Sequence, residues 1–397
     1  MNQKYRSQGK RCRAFNIAVL AGDGIGTEIM PPCLRLIDRV LATVNSNVTL
    51  NYTALDAGAG AYQATGCALS DNVLAVCKTA DAILLGAMGL PQVRYPDGTE
   101  VSPQIELREK LQLFAGVRPI KVISGLGGSI LSHPKARNID FVLIRESTEG
   151  LFAGRAETQF EYAAVAHVSH GMSCVGAVDY SVVERASDTM IMTQAGVKRV
   201  CDFAFNIAHH RKTLGARGLL TCIDKSNVLG SMAFFRHHFL ECARINPDIQ
   251  AETLYVDAAA QKMVMTPWHF DVVVTENMFG DILSELGAGL IGGVGFAPSA
   301  DIGEQHAVFQ PCHGSAPDIV GQGIANPVGM ILSAAMMLQW LAERYSYPDL
   351  YAASVRLEAA VNDAFVSGHL IPVSLGGTAT MQDIYSAISA KLGTSAP

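Results

Sequence analysis

Short apolar runs alternate along this chain with longer stretches whose apolar positions recur every three or four residues. The runs at 15–21, 82–85, 141–145, 219–223, 253–256 and 271–275 predict strands, and the periodic stretches at 25–42, 105–114 and 180–211 predict helices. This alternation predicts an α/β fold with mostly parallel sheets and helices on both faces. Polar and apolar residues alternate at 154–173, which predicts a hairpin arm.

A glycine-rich turn, Gly22-Asp-Gly-Ile-Gly26, joins the first predicted strand to the first predicted helix. A Rossmann phosphate turn has the spacing Gly-x-Gly-x-x-Gly and an acid at the end of the second strand, and this chain has neither. We therefore predict a tight turn and no Rossmann nucleotide site. The clustered glycines at 287–295 predict a loop or crossover.

The composition is that of a globular protein with a large core, since 49% of the 397 residues are hydrophobic and 17% are charged. A net charge of −6 without a basic stripe argues against nucleic acid as a partner. Nine cysteines without a Cys-x-x-Cys pair indicate reduced thiols and a cytoplasmic protein. The longest apolar run, 328–342, is too short for a membrane span and predicts a buried helix. Residues 1–13 are basic and predict a disordered tail.

The segment His313-Gly-Ser-Ala-Pro-Asp-Ile319 is rich in small residues, so its backbone can wrap closely around a ligand. Its acid, Asp318, can hold a ribose diol. Asn326-Pro327 then predicts an N-cap and a first helical residue, and the N-terminus of a helix favours anions such as a pyrophosphate. These residues predict a dinucleotide site.

Three carboxylates and one lysine are candidates for metal-assisted chemistry. Asp281 and Glu285 share one face of a predicted helix and Asp257 follows a predicted strand, so together they suit Mg²⁺ or Mn²⁺. The alternative is an acid pair on a solvated helix face. Lys225 follows an apolar strand, where it can act as a base, or it can pair with Asp224.

Three arginines come from separate segments of the chain: Arg108 from a predicted helix, Arg118 from a predicted loop and Arg145 from the end of a predicted strand. If their side chains converge, the guanidinium groups can bind carboxylates. Taken singly, each arginine favours a surface ion pair over a binding site. The histidine pairs at 209–210 and 237–238 lie on helical patterns and predict solvated faces.

Seven motifs in order resemble the isocitrate/isopropylmalate dehydrogenase family, the β-decarboxylating dehydrogenases, from about Phe15 to the C-terminal helices. The motifs are Leu20-Ala-Gly-Asp-Gly-Ile-Gly-Thr-Glu28, Gly86-Ala-Met-Gly-Leu-Pro91, Leu107-Arg with Val117-Arg-Pro119, Ile144-Arg-Glu-Ser-Thr-Glu-Gly150, Ile223-Asp-Lys-Ser-Asn-Val-Leu229, Asn277-Met-Phe-Gly-Asp-Ile-Leu-Ser-Glu285, and His313-Gly-Ser-Ala-Pro-Asp-Ile319 with Ile324-Ala-Asn-Pro327. The resemblance implies two α/β domains: a cofactor-binding domain formed by 14–113 with 292–397, and a substrate, metal and dimer-interface domain at 114–291.

The resemblance also implies a role for each candidate residue in a homodimer that shares its active sites. Arg108, Arg118 and Arg145 would bind the malate carboxylates, and Ser102, Gln104 and Ile105 would contact the substituent at C3. Asp281 and Glu285, with Asp257 of the neighbouring subunit, would hold Mg²⁺ or Mn²⁺, and that neighbour's Lys225 would be the base. The cofactor residues would be His313, Gly314, Ser315, Ala316, Pro317, Asp318, Ile319, Asn326 and Asn227, with NAD favoured because Asp318 repels the 2′-phosphate of NADP.

Three positions depart from the family pattern: Phe152 replaces a tyrosine that protonates the enol, Glu285 replaces an aspartate, and Gln310 replaces a common glutamate. The expected activity is oxidative decarboxylation of a 3-substituted (2R)-malate, with 3-isopropylmalate, which yields 4-methyl-2-oxopentanoate and CO₂, as the first choice. Tartrate, D-malate, isocitrate and homoisocitrate stay open as substrates. Because of Phe152 and Glu285, a relative that binds NAD and metal with little turnover stays open too.

Overall fold

The computed structural model describes residues 13–126, 131–153, 159–161 and 185–393. The strands found in these ranges are β1 Arg13–Gly22, β2 Val48–Ala54, β3 Ala82–Ala87, β4 Ala115–Lys121, β5 Asp140–Glu146, β6 Gln159–Glu161, β7 Arg185–Ser187, β8 Leu219–Asp224, β9 Gln250–Tyr255, β10 Val272–Thr275, β11 Pro298–Ile302 and β12 Ala307–Pro311.

Helices occupy most of the remaining described chain. They are α1 Gly26–Thr43, α2 Ala59–Thr65, α3 Asp71–Thr79, α4 Pro103–Lys110, α5 Gln194–Thr213, α6 Gly230–Ile245, α7 Val256–Met265, α8 Asn277–Leu290, α9 Val328–Tyr345, α10 Pro348–Phe365 and α11 Met381–Gly393.

One ten-stranded sheet, in the order β2-β1-β3-β12-β11-β4-β5-β10-β8-β9, forms the centre of the molecule. Strands β2, β1, β3 and β12 are parallel, as are β5, β10, β8 and β9. Between these groups, β11 is antiparallel to β12 and β4, and β4 is antiparallel to β5. The sheet therefore crosses the predicted domain boundary without a break, and the division into two domains stays a prediction.

The side chains of β1 show how both faces of the sheet are covered. Phe15, Ile17 and Val19 join a core that includes α1, α9 and α10, while Ala18 and Leu20 join one that includes Leu107 and Leu111. Successive residues of a strand point to opposite faces, so a continuous apolar run is buried on both. The predicted fold class, α/β with a mostly parallel sheet and helices on both faces, is confirmed.

Two predicted helix boundaries are wrong. The helix predicted at 105–114 ends at Lys110, because Gln112 has φ +52° and the chain then enters β4. Arg118 consequently lies on that strand and not in a loop. The helix predicted at 180–211 begins at Gln194, where the Thr193 hydroxyl accepts a hydrogen bond from the Gly196 N–H, and residues 185–187 form β7 instead.

The loop predicted at 287–295 is also wrong in its first half, because α8 continues to Leu290. A Cβ at Gly287 would lie 2.4 Å from Cδ1 of Ile120, so the glycine allows α8 to approach the sheet. Gly292 and Gly293, with φ of +109° and +107°, end the helix.

The remaining predictions concern the buried helix, the N-terminal tail, the hairpin arm and membrane spans. The buried helix predicted at 328–342 is confirmed as α9. Residues 1–12 and most of the arm predicted at 154–173 lie outside the described residues, although 159–161 pair antiparallel with 185–187. No helix in the described ranges is both long and apolar enough to cross a membrane.

Candidate active site

The turn at 22–26 supports the loop at 313–319. The Asp23 carboxylate accepts hydrogen bonds from the backbone N–H groups of Ala59, Gly60 and Gly89, at 2.7, 2.8 and 2.8 Å. Gly24 has φ +56°, and a Cβ there would lie 2.0 Å from the carbonyl oxygen of Ser315. This is a tight turn, as predicted, and its glycine lets the 313–319 loop pack directly against it.

The loop and the start of α9 carry two buried nitrogen atoms without a hydrogen-bond partner among the described residues, His313 Nε2 and Asn326 Nδ2. Burial lowers the pKa of His313, so its ring is neutral at physiological pH. The carboxylate of Asp318 is exposed. Buried unpaired polar groups are costly in a protein interior, so these residues fit a ligand with hydrogen-bonding groups, such as a nucleotide.

The N-cap of α9 is Pro327 and not Asn326 as predicted, although Asn326 Oδ1 accepts a hydrogen bond from the Val328 N–H at 3.1 Å. The helix itself starts at Val328, one residue later than predicted. Gly295 lies against Asn326, because a Cβ on Gly295 would be 2.9 Å from the Cβ of Asn326.

Arg108, Arg118 and Arg145 converge on one cavity of about 150 Å³. Helix α4 supplies Arg108, and strands β4 and β5 supply the other two. Further residues that line the cavity are Ala87, Met88, Gln104, Asp281, Ser284, Glu285, Ser299, Gln310, Pro311, Cys312, His313 and Gly314. The arginines, the acid pair and the start of the 313–319 loop therefore meet at one place.

Of the three residues predicted to contact a C3 substituent, Gln104 lines this cavity and Ser102 and Ile105 do not. All three lie where α4 begins. Gln104 Oε1 is buried without a hydrogen-bond partner in the described structure. A polar side chain in this state favours a ligand that brings a hydrogen-bonding group.

Asp301 on β11 is the residue that the sequence prediction missed. It is 1% exposed, and its carboxylate accepts hydrogen bonds from Arg108 Nε and Arg118 Nη2, each at 3.0 Å, and from Gln310 Nε2 at 2.7 Å. Burial by itself raises the pKa of Asp301, but the two guanidinium groups outweigh burial and hold that pKa below its ordinary value. An acid within an apolar strand was the available signal, because a buried charge needs a partner.

Arg145 is held from the other side of the cavity. Its Nε and Nη2 donate to Asn277 Oδ1 at 2.9 and 2.7 Å, and its Nη1 donates to Asp281. Burial and the nearby Arg108 guanidinium lower the pKa of Arg145 to about 10. The Phe152 ring centroid lies 5.3 Å from its Cζ. Arg145 is therefore charged and oriented at neutral pH.

Asp281 and Glu285 lie one helical turn apart on α8, at the mouth of the cavity. Burial and the Asp281 carboxylate raise the pKa of Glu285. Glu276 orients this helix, since its carboxylate accepts hydrogen bonds from the N–H groups of Phe279 and Met278 at 2.6 and 3.0 Å. Two repelling carboxylates with oxygen ligands fit a hard divalent cation, which would relieve their repulsion.

Lys225 and Asp257 meet each other but do not line the cavity of their own chain. The Lys225 Nζ lies 2.6 Å from Asp257 Oδ1. The alternative partner Asp224 is fully buried and pairs with Arg236, at 2.7 Å, so that pairing is excluded. Asn227 is exposed on the same loop and does not line the cavity either.

The solvated face predicted for 237–238 is wrong for His238, which is 6% exposed. Its Nδ1 lies 2.8 Å from Glu241 Oε2, and Lys198 Nζ lies 3.1 Å from the same oxygen. His238 is among the buried residues of α6, a helix that packs against α5. His237, His238 and Glu241 have ligand atoms within 4.8 Å, but Lys198 already neutralises the carboxylate.

Comparison with known proteins defines the class of enzyme. A solved isocitrate dehydrogenase from Methylococcus capsulatus matches with a TM-score of 0.77 and 31% identity, covering 96% of this chain and 100% of that one. This chain has the same fold as that enzyme. The fold, the arginine cavity and the flanking acid pair together are those of a β-decarboxylating dehydrogenase.

The chain belongs to the isocitrate/isopropylmalate dehydrogenase family, whose model matches residues 16–388. A 3-isopropylmalate/3-methylmalate dehydrogenase from Methanocaldococcus jannaschii is 36% identical over 362 residues, which are 91% of this chain and 94% of that protein. A 3-isopropylmalate dehydrogenase from Aquifex aeolicus is 36% identical over 387 residues, or 96% and 94% of the two chains. The predicted family is confirmed.

Proposed function

We propose that this protein catalyses the NAD- and Mg²⁺- or Mn²⁺-dependent oxidative decarboxylation of a 3-substituted (2R)-malate, with 3-isopropylmalate as its first substrate. The convergence of Arg108, Arg118 and Arg145 in one cavity carries the proposal. Guanidinium groups bind carboxylates through paired N–H donors, and a malate presents two carboxylates. Lining residues between the arginines would then contact the substituent at C3.

The same cavity has a place for the metal. Asp281 and Glu285 would hold it, together with Asp257 of the partner subunit. A cation bound there would lower the pKa of the substrate hydroxyl and polarise the oxygen at C2. The Arg145 guanidinium, which contacts Asp281, would orient that carboxylate and the substrate together.

The position of Lys225 and Asp257 outside the cavity of their own chain supports a homodimer with shared active sites. The surface beside them is apolar, since Val264, Met265 and Ile282 are 44%, 67% and 59% exposed. Exposed apolar side chains on neighbouring helices are typical of protein interfaces. A second copy that covers α7 and α8 would bring its own Lys225 to the first cavity.

In the reaction, Lys225 of the partner subunit would take the proton of the C2 hydroxyl while the hydride at C2 passes to the nicotinamide. The C3 carboxylate then leaves as CO₂, its bonding electrons form the enolate, and a proton added at C3 gives the 2-oxo acid. Phe152 has no proton to give, so a water or the protonated Lys225 must supply it.

NAD is the proposed hydride acceptor. The 313–319 loop and Asn326 supply buried unpaired groups for the adenosine part. Asn227, exposed on the loop that carries Lys225, would also contact the cofactor. The exposed Asp318 carboxylate would bind a ribose diol and repel a 2′-phosphate. The described cysteines are all free thiols, which supports a reducing compartment such as the cytoplasm.

A smaller or more polar C3 substituent is the second candidate. Gln104 Oε1 is buried and unpaired at the cavity, and one relative is named for 3-methylmalate as well as 3-isopropylmalate. D-malate and tartrate belong to this group of substrates. Because Gln104 makes this part of the cavity lining polar, malates with small or polar C3 substituents should be tested together with 3-isopropylmalate.

NADH formation by the purified protein, with Mg²⁺ and with Mn²⁺, tests the proposal across 3-isopropylmalate, D-malate, tartrate, isocitrate and homoisocitrate. We expect turnover with 3-isopropylmalate and a preference for NAD over NADP. Turnover only with D-malate or tartrate would support the second candidate. Binding of NAD and Mn²⁺ without turnover on any of the five would contradict both and indicate a relative with little catalysis.

A further inference from the structure

Arg236 on α6 lies between the loop that carries Lys225 and the start of α7. Its Nε and Nη2 donate to the two carboxylate oxygens of Asp224, at 2.7 and 2.9 Å. Its Cζ lies 4.9 Å from the centroid of the Tyr255 ring. Asp224 directly precedes Lys225 in the sequence, and Tyr255 is two residues before Asp257. One guanidinium group therefore contacts the chain beside both members of the Lys225–Asp257 ion pair.

The sheet brings the two contacts of this guanidinium group together. Asp224 and Tyr255 are the last residues of β8 and β9, which are parallel neighbours with these two residues paired in register. Because parallel strands end at the same edge of a sheet, the chain leaves both strands side by side, and Lys225 Nζ lies 2.6 Å from Asp257 Oδ1 there. Arg236 thus joins the two points at which the chain leaves the sheet.

The carboxylate of Asp224 fixes the backbone on both sides of Lys225. Asp224 is fully buried, and its Oδ1 also accepts a hydrogen bond from the Ser226 N–H at 2.8 Å. The Lys225 carbonyl oxygen accepts in turn from the Leu229 N–H at 3.1 Å. A buried carboxylate is costly when it is unpaired, so this conformation needs the positive charge of Arg236. The position of Lys225 therefore depends on Arg236.

The contact with Tyr255 concerns the other member of the ion pair. Tyr255 directly precedes α7, and Asp257 lies in the first turn of that helix. A planar guanidinium group can lie over an aromatic ring while its edge donates two hydrogen bonds to a carboxylate. Lysine has the charge of arginine but neither the plane nor the fork of donors. A lysine in place of Arg236 would therefore keep the charge beside Asp224 and lose the geometry that links the two segments.

We propose that Arg236 is a positioning residue that holds Lys225 and Asp257 as one unit for the active site of the partner subunit. The inference rests on the proposed function, because it takes Lys225 as the base and Asp257 as a metal ligand. Arg236 and its two contacts do not line the cavity of their own chain, so its effect on the reaction passes through the ion pair. Loss of its geometry should misplace the base and one metal ligand together.

The substitution Arg236→Lys tests this, since it keeps the charge that Asp224 needs. With the malate that the wild-type protein oxidises best, and with saturating NAD and Mn²⁺, kcat should fall at least about tenfold, because small misplacements of a reacting group are costly. The KM for the malate should stay unchanged, because the three arginines proposed to bind its carboxylates belong to other elements. Arg244→Lys, at an exposed arginine near the end of the same helix, is the matched control and should change neither value.

Calorimetric titration with Mn²⁺ supplies a readout that does not depend on turnover. Arg236→Lys should raise the dissociation constant about tenfold, the lower range for loss of a residue that orients a metal ligand. In a protein that already carries Asp257→Ala, the same substitution should have no further effect, because the ligand through which it acts is gone. An equal weakening with and without the Asp257 carboxylate would show general damage to the fold and would contradict the proposal.

A double variant keeps the proposal testable even if Arg236→Lys does not fold. Asp224→Asn combined with Arg236→Met removes both charges and leaves no unpaired carboxylate in the interior, so this variant should fold. Its amide hydrogens at 225–229 and 255–258 should exchange faster than those of the wild-type protein, and kcat should fall at least about tenfold. A folded double variant with wild-type exchange and turnover would overturn the proposal.

The failure of this inference is distinct from the failure of the proposed function. If the wild-type protein oxidises a substituted malate, Lys225→Ala is inactive, and a folded Arg236→Lys variant keeps the wild-type kcat and Mn²⁺ affinity, only the role of Arg236 is wrong. If Lys225→Ala keeps its activity, or if the wild-type protein oxidises none of the malates, the proposed function fails and the inference fails with it.

Discussion

Lys225 and Asp257 form an ion pair with 2.6 Å between Nζ and Oδ1, joining the loop after β8 to the first turn of α7. The hydrogen bond from Lys225 lowers the pKa of Asp257, so the carboxylate is ionised well into the acidic range. The pair lies outside the arginine cavity of its own chain. In the homodimer that we propose, this lysine and its ionised carboxylate would reach the partner's cavity as a unit.

Replacing Lys225 with alanine should abolish turnover without unfolding the protein, because it removes the proposed base, which lies outside the hydrophobic core. We expect kcat to fall at least about a hundredfold, the lower range for loss of a general base. The measurement is NADH formation beside thermal unfolding. Lys121→Ala removes a surface lysine that pairs with Asp140 at 3.6 Å and is the control, expected to keep full activity. Near-full activity of the Lys225 variant would refute its assignment as the base.

Replacing Phe152 with tyrosine should raise the rate of product formation, because it adds a hydroxyl near the cavity, where the ring lies 5.3 Å from Arg145 Cζ. A suitably placed general acid can raise the rate about tenfold or more. The check is kcat with 3-isopropylmalate under saturating NAD and Mn²⁺. Phe152→Leu, which adds no proton donor, should show no increase. An unchanged or lower rate for the tyrosine variant would mean that this site has its own proton route.

Replacing Gly24 with alanine should weaken NAD binding selectively. The new Cβ would meet the Ser315 carbonyl oxygen at 2.0 Å and displace the 313–319 loop. Gly66→Ala is the matched control, because Gly66 also has positive φ, +77°, but nothing lies within 4 Å of its Cβ position. Both variants should lose about 1 kcal/mol of stability from backbone strain. Only Gly24→Ala should raise the KM for NAD, and an equal KM in the two variants would exclude this loop as the nucleotide site.

The affinity for Mn²⁺ should weaken as the pH falls. The pH at which this weakening begins should be higher than it would be if the glutamate ligand had its ordinary pKa. Burial and the Asp281 carboxylate raise the pKa of Glu285, and a proton on that group competes with the cation. Below the raised pKa the dissociation constant should increase about tenfold per pH unit for each proton displaced. The same shift means that the metal-free fold binds this proton more tightly than the unfolded chain, so Glu285 contributes stability that is lost as pH rises through its folded pKa.

Calorimetric titration with Mn²⁺ at a series of pH values measures this dependence. Glu285→Gln should lower the affinity at neutral pH and flatten the curve. Glu304→Gln, at an exposed acid of the β11–β12 connection, should leave the curve unchanged. If the Mn²⁺ affinity of the wild-type protein stays constant down to the ordinary pKa range of glutamate, that result would argue against Glu285 as a ligand.

The sequence by itself determined the fold class and the pieces of the site. Apolar runs buried on both faces, as in β1, must form central strands, and periodic stretches such as α9 must form the helices that cover them. Local chemistry likewise identified the turn at 22–26 and the acid pair on α8, because glycine conformations and helical spacing depend on neighbours in sequence. The ends of α4 and α8 and the start of α5 escaped prediction because single residues such as Gln112, Gly292 and Thr193 decide them.

Only the tertiary structure decided which charges meet. Asp301 is 193 residues from Arg108 and 183 from Arg118, so no local pattern could show that they bond. The same holds for Lys225, which pairs with Asp257 and not with its neighbour Asp224. It also holds for His238, which is buried beside Glu241, the partner of Lys198 on α5. An ion pair forms where the fold brings opposite charges together in a shielded place, and that depends on the path of the whole chain.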